Sequence, residues 1–270
     1  EQMAPGIKTK LEELSSQGVT TISTKLRMNS IDAYKLLEQR SEQAVRMGYG
    51  LGFDYFGTVT DLDSGLKKFE HIVGSGTDMN WVTSFAPTSL DGSTTRACTN
   101  QKRLPGGALG PVDAWYPVGQ CHMDSEYKGG PARAANISGN YFRDWIITQG
   151  KYNIRFGNDH VAGDRGIGDI LSIIEQVQKQ YGKKATTNWA MDHCYLVDPK
   201  DFKRLAADGV MLSCYPRTLA SNDGVQNISE TYGPKVANTF VQPIKSLLDA
   251  GVKVSFESDN GTSNKWEDLS

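Results

Sequence analysis

Short apolar runs alternate with helix-periodic stretches along most of this chain. That pattern restricts it to a parallel sheet covered by helices, because parallel neighbours need a long crossover and a helix supplies it. Seven runs carry strand character, at about 19–24, 49–56, 80–86, 152–158, 187–193, 210–215 and 252–257. Helical spacing is read over 7–17, 30–47 (Ile31, Tyr34, Leu37 and Val45 on one face), 61–72, 142–149, 167–181 and, mainly, 236–250. One more helix is signalled by its ends: Asp198 as N-cap, Pro199 in the first turn and Gly209 at the stop. With 270 residues and no Pro-rich or Gly/Ser-rich linker, the chain reads as one domain, residues 1–270. The alternation lapses over about 87–140, an irregular insertion rich in Gly, Pro, Ser and Thr. Loops of that length inside compact domains are usually functional or disordered.

Three polar residues close three of the apolar runs. His160 follows Tyr152–Phe156 and precedes the turn Gly163-Asp164-Arg165, behind which Ile167, Ile170, Leu171, Ile174 and Val177 recur at helical spacing. His193 ends Ala190-Met191-Asp192-His193, and Asp259 ends the run that begins at Val252. In a (β/α)8 barrel the C-terminal strand ends are where chemistry is done. Two imidazoles and a carboxylate, each at the end of its own strand, can converge on one metal ion. The bland readings are a His160 held by a backbone carbonyl, a core His193 beside Asp192, and Asp259 as a turn residue in Asp259-Asn260-Gly261. Asp164 reads as a helix N-cap, and Arg165 as a partner for a neighbouring acid or for a substrate carboxylate.

The order of these segments resembles the amidohydrolase superfamily, and within it the amidohydrolase 3 branch. The residues that carry the resemblance are His160 with Gly163-Asp164-Arg165, Asp192-His193 with Leu196-Val197-Asp198-Pro199, and Ser258-Asp259. Leu90-Asp91-Gly92-Ser93-Thr94-Thr95-Arg96-Ala97 resembles the segment that shapes the substrate pocket after strand 4. The resemblance implies an α/β fold, a TIM-like (β/α)8 barrel with metal ligands from strands 1, 5, 6 and 8. His160, His193 and Asp259 would be the ligands present here, with Asp259 and His193 also catalytic. Arg96 and Arg165 would contact substrate. The cofactor implied is a divalent metal, zinc first. In many members a carbamylated Lys bridges two metals four residues before the Asp-Gly pair; Pro87 stands there in this chain, and proline cannot be carbamylated. The first visible strand, Gly-Val-Thr-Thr at its entry, matches the family's second. The preceding strand, with its His-x-His pair, is not in this sequence, whose four histidines are His71, His122, His160 and His193. The barrel is therefore expected to be incomplete, strands 2–8, with the missing segment supplied by the rest of a longer chain or by another chain.

The formal net charge of −2 argues against a broad nucleic-acid surface, and no apolar run approaches membrane-spanning length. The partner expected is a small-molecule substrate, in a cytoplasmic or exported protein. Cys194 and Cys214 fall in buried strands and read as packing residues; Cys98 and Cys121 can pair if the protein is exported. Sequons begin at Asn136, Asn227 and Asn260, about the number chance gives in so Asn-, Ser- and Thr-rich a chain, so they decide nothing. The function expected is hydrolysis of a carbon–nitrogen bond, amide or N-acyl, by metal-activated water. The alternatives are a metal-free barrel kept as a binding or structural module, and a deaminase of the same superfamily.

Overall fold

The computed structural model describes residues 2–52, 61–85, 90–91, 97–105, 141–216 and 224–258. The first half runs α1 (Ala4–Ser16), β1 (Thr21–Leu26), α2 (Met28–Gln39), β2 (Arg46–Leu51), α3 (Leu62–Lys67) and β3 (Asn80–Phe85). The second runs α4 (Tyr141–Lys151), β4 (His160–Val161), α5 (Asp164–Tyr181), β5 (Ala190–His193), α6 (Phe202–Asp208) and β6 (Met211–Cys214). It closes with α7 (Gly224–Tyr232), α8 (Pro234–Phe240), α9 (Ile244–Asp249) and β7 (Lys253–Phe256). All strand pairs are parallel, in the orders β1-β2-β3 and β4-β5-β6-β7.

Residues 154–158 make these two sheets one. Phe85 N–H donates to the Arg155 carbonyl at 2.8 Å, Phe85 bridges Phe156 in parallel, and Ala190 N–H donates to the Phe156 carbonyl at 3.1 Å. The Arg155 guanidinium adds side-chain bonds to both flanks, to Thr83 O at 3.1 Å and Asn188 O at 2.6 Å. The sequence predicts a regular strand over 152–158; the structure has only this bridged stretch, and the strand proper is the pair His160–Val161. The cause is local. Asn153 (φ 53°) and Asn158 (φ 58°) are both left-handed, a conformation that asparagine tolerates and that interrupts a ladder. His160 thus opens a two-residue strand rather than following a long one.

The helix expected over 30–47 ends at Gln39; Val45 lies just before β2 and Met47 within it. Ser41 turns left-handed (φ 56°) between them. The helix expected over 236–250 is two, α8 and α9, separated by Val241-Gln242-Pro243, with Gln242 also left-handed (φ 35°). The helix α7 has no counterpart in the sequence reading.

The apolar core lies between the sheet and its helices, not inside the curl of the sheet. Ile167, Ile170, Leu171, Ile174 and Val177 of α5 are all fully buried, against Phe156, Val161, Met191 and Leu212. At about 1.5–3 kcal/mol for each such side chain, this one helix face is a large share of what holds the second half. Val45, and Met47, Tyr49 and Leu51 of β2, pack with Leu11, Ile31 and Leu37 in the first half. Helix α4 ties the two: Phe142 and Ile146 belong to one cluster, Trp145 to the other.

The alternate residues of β2 that face away from that core are Gly48 and Gly50. A Cβ at Gly50 would lie 2.8 Å from both Asn158 Oδ1 and Ser84 Oγ. The sheet is therefore curled, with polar side chains crowding its inner face, as in a (β/α)8 barrel of the TIM type with strands left out. Among the described residues β1 and β7 are edges. Thr21, Ser23 and Thr24 are exposed, and Phe256 is 64% exposed.

Gly50→Ala is expected to lower stability by about 1–3 kcal/mol through overpacking against Asn158 and Ser84. Gly6→Ala, on α1 with nothing within 4 Å of the added carbon, should instead raise it by up to about 1 kcal/mol. Urea denaturation of both variants checks the contrast.

Candidate functional site

His160 and His193 meet at one end of the sheet, with ring centroids 4.0 Å apart and planes tilted by 60°. In-register pairing brings them there: His160 opposes Asp192, and Val161 opposes His193. Each imidazole is partly buried, 24% exposed for His160 and 12% for His193.

Each also has a carboxylate on its Nδ1. His160 Nδ1 lies 3.0 Å from Asp91 Oδ1. His193 Nδ1 is in close contact with Glu257 Oε1. A metal-ligating imidazole almost always has such a partner on its second nitrogen, which fixes the ring and leaves the other nitrogen for the ion. From sequence, Asp91 belongs to the segment that resembles a pocket-shaping one, and Asp259 rather than Glu257 is the acid expected at the end of the last run. The signal for Glu257 was the strand period of two, which puts residues 255, 257 and 259 on one face of an extended run. Asp259 and Arg96 lie outside the described residues.

The backbone at His193 is unusual. His193 (φ 81°) and Cys194 (φ 39°) are consecutive left-handed residues without glycine. Such conformations cost of order 1–3 kcal/mol each and persist only when the surroundings enforce them. Here a disulfide joins Cys194 to Cys214 across the ends of β5 and β6. Tyr215 N–H donates to the His193 carbonyl at 3.2 Å, and Glu257 N–H to the Cys214 carbonyl at 2.9 Å. The two cysteines are buried, as the sequence implies, but they are bonded rather than merely packed. Cys98 is also disulfide-bonded.

Acids crowd the inner face beneath the imidazoles. Asp159 is fully buried; among the described residues its carboxylate accepts no hydrogen bond, and Lys25 Nζ of β1 stands 3.7 Å away. Burial pushes its proton affinity well above the usual carboxylate range, with Lys25 opposing and Asp192 and Asp91 adding to the rise. Asp192 is pushed up to about 7, first by burial and then by the Glu257 charge. Burial lowers the pKa of Arg155, and Asp192 counters it.

The described part of the insertion packs over this same end. Cys98 N–H donates to Asp91 Oδ2 at 2.8 Å, and Gly166 N–H donates to the Cys98 carbonyl at 3.0 Å. Asp164 is not the N-cap of α5; Gly163 holds that position. Asp164 is buried and accepts from Thr99 Oγ1 and, at 3.0 Å, from Gln101 Nε2. Leu104 N–H reaches the Thr231 carbonyl on α7. Arg165 sits in the first turn of α5, 27% exposed, with Nε 3.7 Å from Asp169 Oδ2.

A family model described as the amidohydrolase family matches residues 1–269. The chain belongs to the amidohydrolase family. No match is found among curated proteins. Among solved structures it is similar to an uncharacterized metal-dependent hydrolase from Pyrococcus furiosus, with TM-score 0.62, 16% identity, and coverage of 94% of this chain and 46% of that one. A second, from Pyrococcus horikoshii OT3, gives TM-score 0.62, 17% identity, and coverage of 94% and 44%. The amidohydrolase chain thus spans less than half the length of these two structures. At these identities the likeness speaks for the fold: an α/β, TIM-like barrel, incomplete here.

The residues of this amidohydrolase chain suit a divalent cation in kind: two imidazoles at the C-terminal end of the sheet, each with its Nδ1 facing a carboxylate. Among the described residues no group of three His, Cys, Asp or Glu side chains is arranged to hold an ion.

Removing the disulfide with Cys194→Ser and Cys214→Ser together is expected to cost about 3 kcal/mol, since it closes a loop with a sequence separation of 20. Chemical denaturation measures the loss, and a non-reducing peptide map should show the 194–214 cross-link in the parent protein.

Proposed function

We propose that these residues form most of the barrel of a metal-dependent hydrolase that cleaves a carbon–nitrogen bond, amide or N-acyl, in a small molecule. The observation that carries this reading is the meeting of His160 and His193 at 4.0 Å, each with a carboxylate on Nδ1. In this reading His160 and His193 hold the cation through Nε2, and Asp259 completes the set from this chain. Imidazole with carboxylate suits zinc best. Bound there, a divalent cation would bring the pKa of a water molecule toward neutrality and polarise the scissile bond. Water adds to the acyl carbon, the carbon–nitrogen bond breaks, and Asp259 carries the proton from the water to the leaving nitrogen. Alternatively, with the cation held by His160 and Asp259, His193 polarises the carbonyl instead; Arg96 and Arg165 meet the rest of the substrate.

The edge strands β1 and β7 support a further part of the reading. An exposed strand edge is a template for pairing. A segment from elsewhere in a longer polypeptide, or from another chain, would close the barrel between them and complete the ligand set. No helix among the described residues is long and apolar enough to cross a membrane. The disulfides favour a protein that matures in an oxidising compartment.

Elemental analysis of the complete polypeptide carrying these residues tests the proposal. Stoichiometric zinc or another divalent metal is expected, lost in His160→Ala and His193→Ala together with amide hydrolysis. A folded polypeptide that takes up no metal in supplemented medium, and that is indifferent to both substitutions, would make the barrel a binding or structural module.

A further inference from the structure

We propose that Asp91 is the positioning residue of this site: it fixes the His160 ring with the proton on Nδ1 and so presents Nε2 as the electron-pair donor. The metal-binding part of this inference rests on the reading of His160 as a ligand.

One buried carboxylate gathers several donors. Asp91 has no exposed side-chain surface. Its Oδ2 accepts from Cys98 N–H at 2.8 Å, Gly163 N–H at 2.9 Å and Ala162 N–H at 3.2 Å. Its Oδ1 accepts from Ala162 N–H at 2.9 Å. Backbone N–H groups cannot reverse their role, so both oxygens are committed as acceptors. The remaining neighbour of Oδ1 is His160 Nδ1 at 3.0 Å. Against a committed acceptor that nitrogen must be the donor, and the neutral ring then has its lone pair on Nε2.

The arrangement is also rigid. The three backbone donors come from two places in the chain, the segment after β3 and the turn between β4 and α5. Leu90 N–H adds a bond to the His160 carbonyl at 3.0 Å. Gly163 makes the approach possible, because a Cβ there would fall 2.0 Å from the Cys98 carbonyl oxygen. Asp91 therefore does two jobs with one group. It clamps the start of the insertion onto the site, and it selects one tautomer of His160.

The tautomer is measurable without any variant. In the metal-free complete polypeptide, with 15N-labelled histidine and at a pH well above the usual imidazole pKa of about 6.5, His160 should give an N–H signal on Nδ1 and a bare-nitrogen signal on Nε2. His160→Asn assigns the resonance. A proton on Nε2 would overturn the proposal outright. Asp91→Asn keeps the size but must turn an NH2 group toward one of the backbone N–H donors. It is expected to release the ring into a tautomer mixture and to weaken zinc binding by about 10–100-fold, with circular dichroism showing the fold retained. Wild-type zinc affinity in a folded Asp91→Asn, alongside loss of zinc in His160→Ala, would refute Asp91 and leave the ligand reading standing. Unchanged zinc in His160→Ala would refute the ligand reading instead, and the wild-type tautomer would still decide whether Asp91 sets the ring.

Discussion

The structure depends on the continuity of parallel pairing through residues 154–158. Two hydrogen-bonded flanks meet there, Phe85 on one side and Ala190 on the other, and Arg155 bonds to both. Without that stretch there would be a three-stranded and a four-stranded sheet, each with two edges. With it, the segment after β3 lies beside the turn after β4, and Asp91 can reach His160. The left-handed Asn158 ends the bridged stretch just two residues before His160. Its side-chain oxygen accepts from Ser84 Oγ at 2.7 Å, which fastens the kink to β3. The irregularity that spoils the strand is thus the feature that aims the next residues inward.

The two sides of the sheet solve different problems. Outside, helix faces bury aliphatic and aromatic side chains, and that burial supplies the stability. Inside, Gly50 of β2 makes room for Asn158 and Ser84. A buried carboxylate without hydrogen bonds is costly, and Asp159 is one among the described residues, with the Lys25 charge set against the nearby acids Asp192 and Asp91. The ion pair crosses from β1 past two strands, so the curl of the sheet is part of what keeps that acid tolerable. Asp192, pushed up to about 7 by burial and by Glu257, carries the same cost in milder form. An interior built for packing alone would hold neither.

Much of this was legible in the sequence, and the failures have physical causes. The fully buried face of α5 follows directly from its apolar spacing. His160 and His193 stood out because each interrupts or ends an apolar run beside a turn. Asp91 did not, since an Asp-Gly pair is an ordinary turn signal and its true role depends on backbone N–H groups 71 and 72 residues away. Glu257 was hidden one strand period from the more conspicuous Asp259. The 30–47 helix was overrun because Val45 continues the helical spacing, while Ser41 in the left-handed region ends the helix for reasons that spacing does not encode. The Cys194–Cys214 bond needed the register of β5 against β6, which no local pattern gives.

The supports of the two imidazoles come from opposite parts of the sheet. Asp91 follows β3, in the first half; Glu257 follows β7, the far edge. His160 is held by a carboxylate whose own partners are backbone groups deep in the structure. His193 is held by a residue at the end of a strand with an exposed outer side, and by a left-handed turn pinned through a disulfide. The stiffness of the pair is therefore unequal. His160 is set by interactions complete within the described residues, whereas the position of His193 depends on how β7 is fixed. Any segment that pairs with that edge would bear on Glu257, and through it on the second imidazole. In the proposed complete barrel, pairing at β7 would bear on the site through the contact of Glu257 with His193.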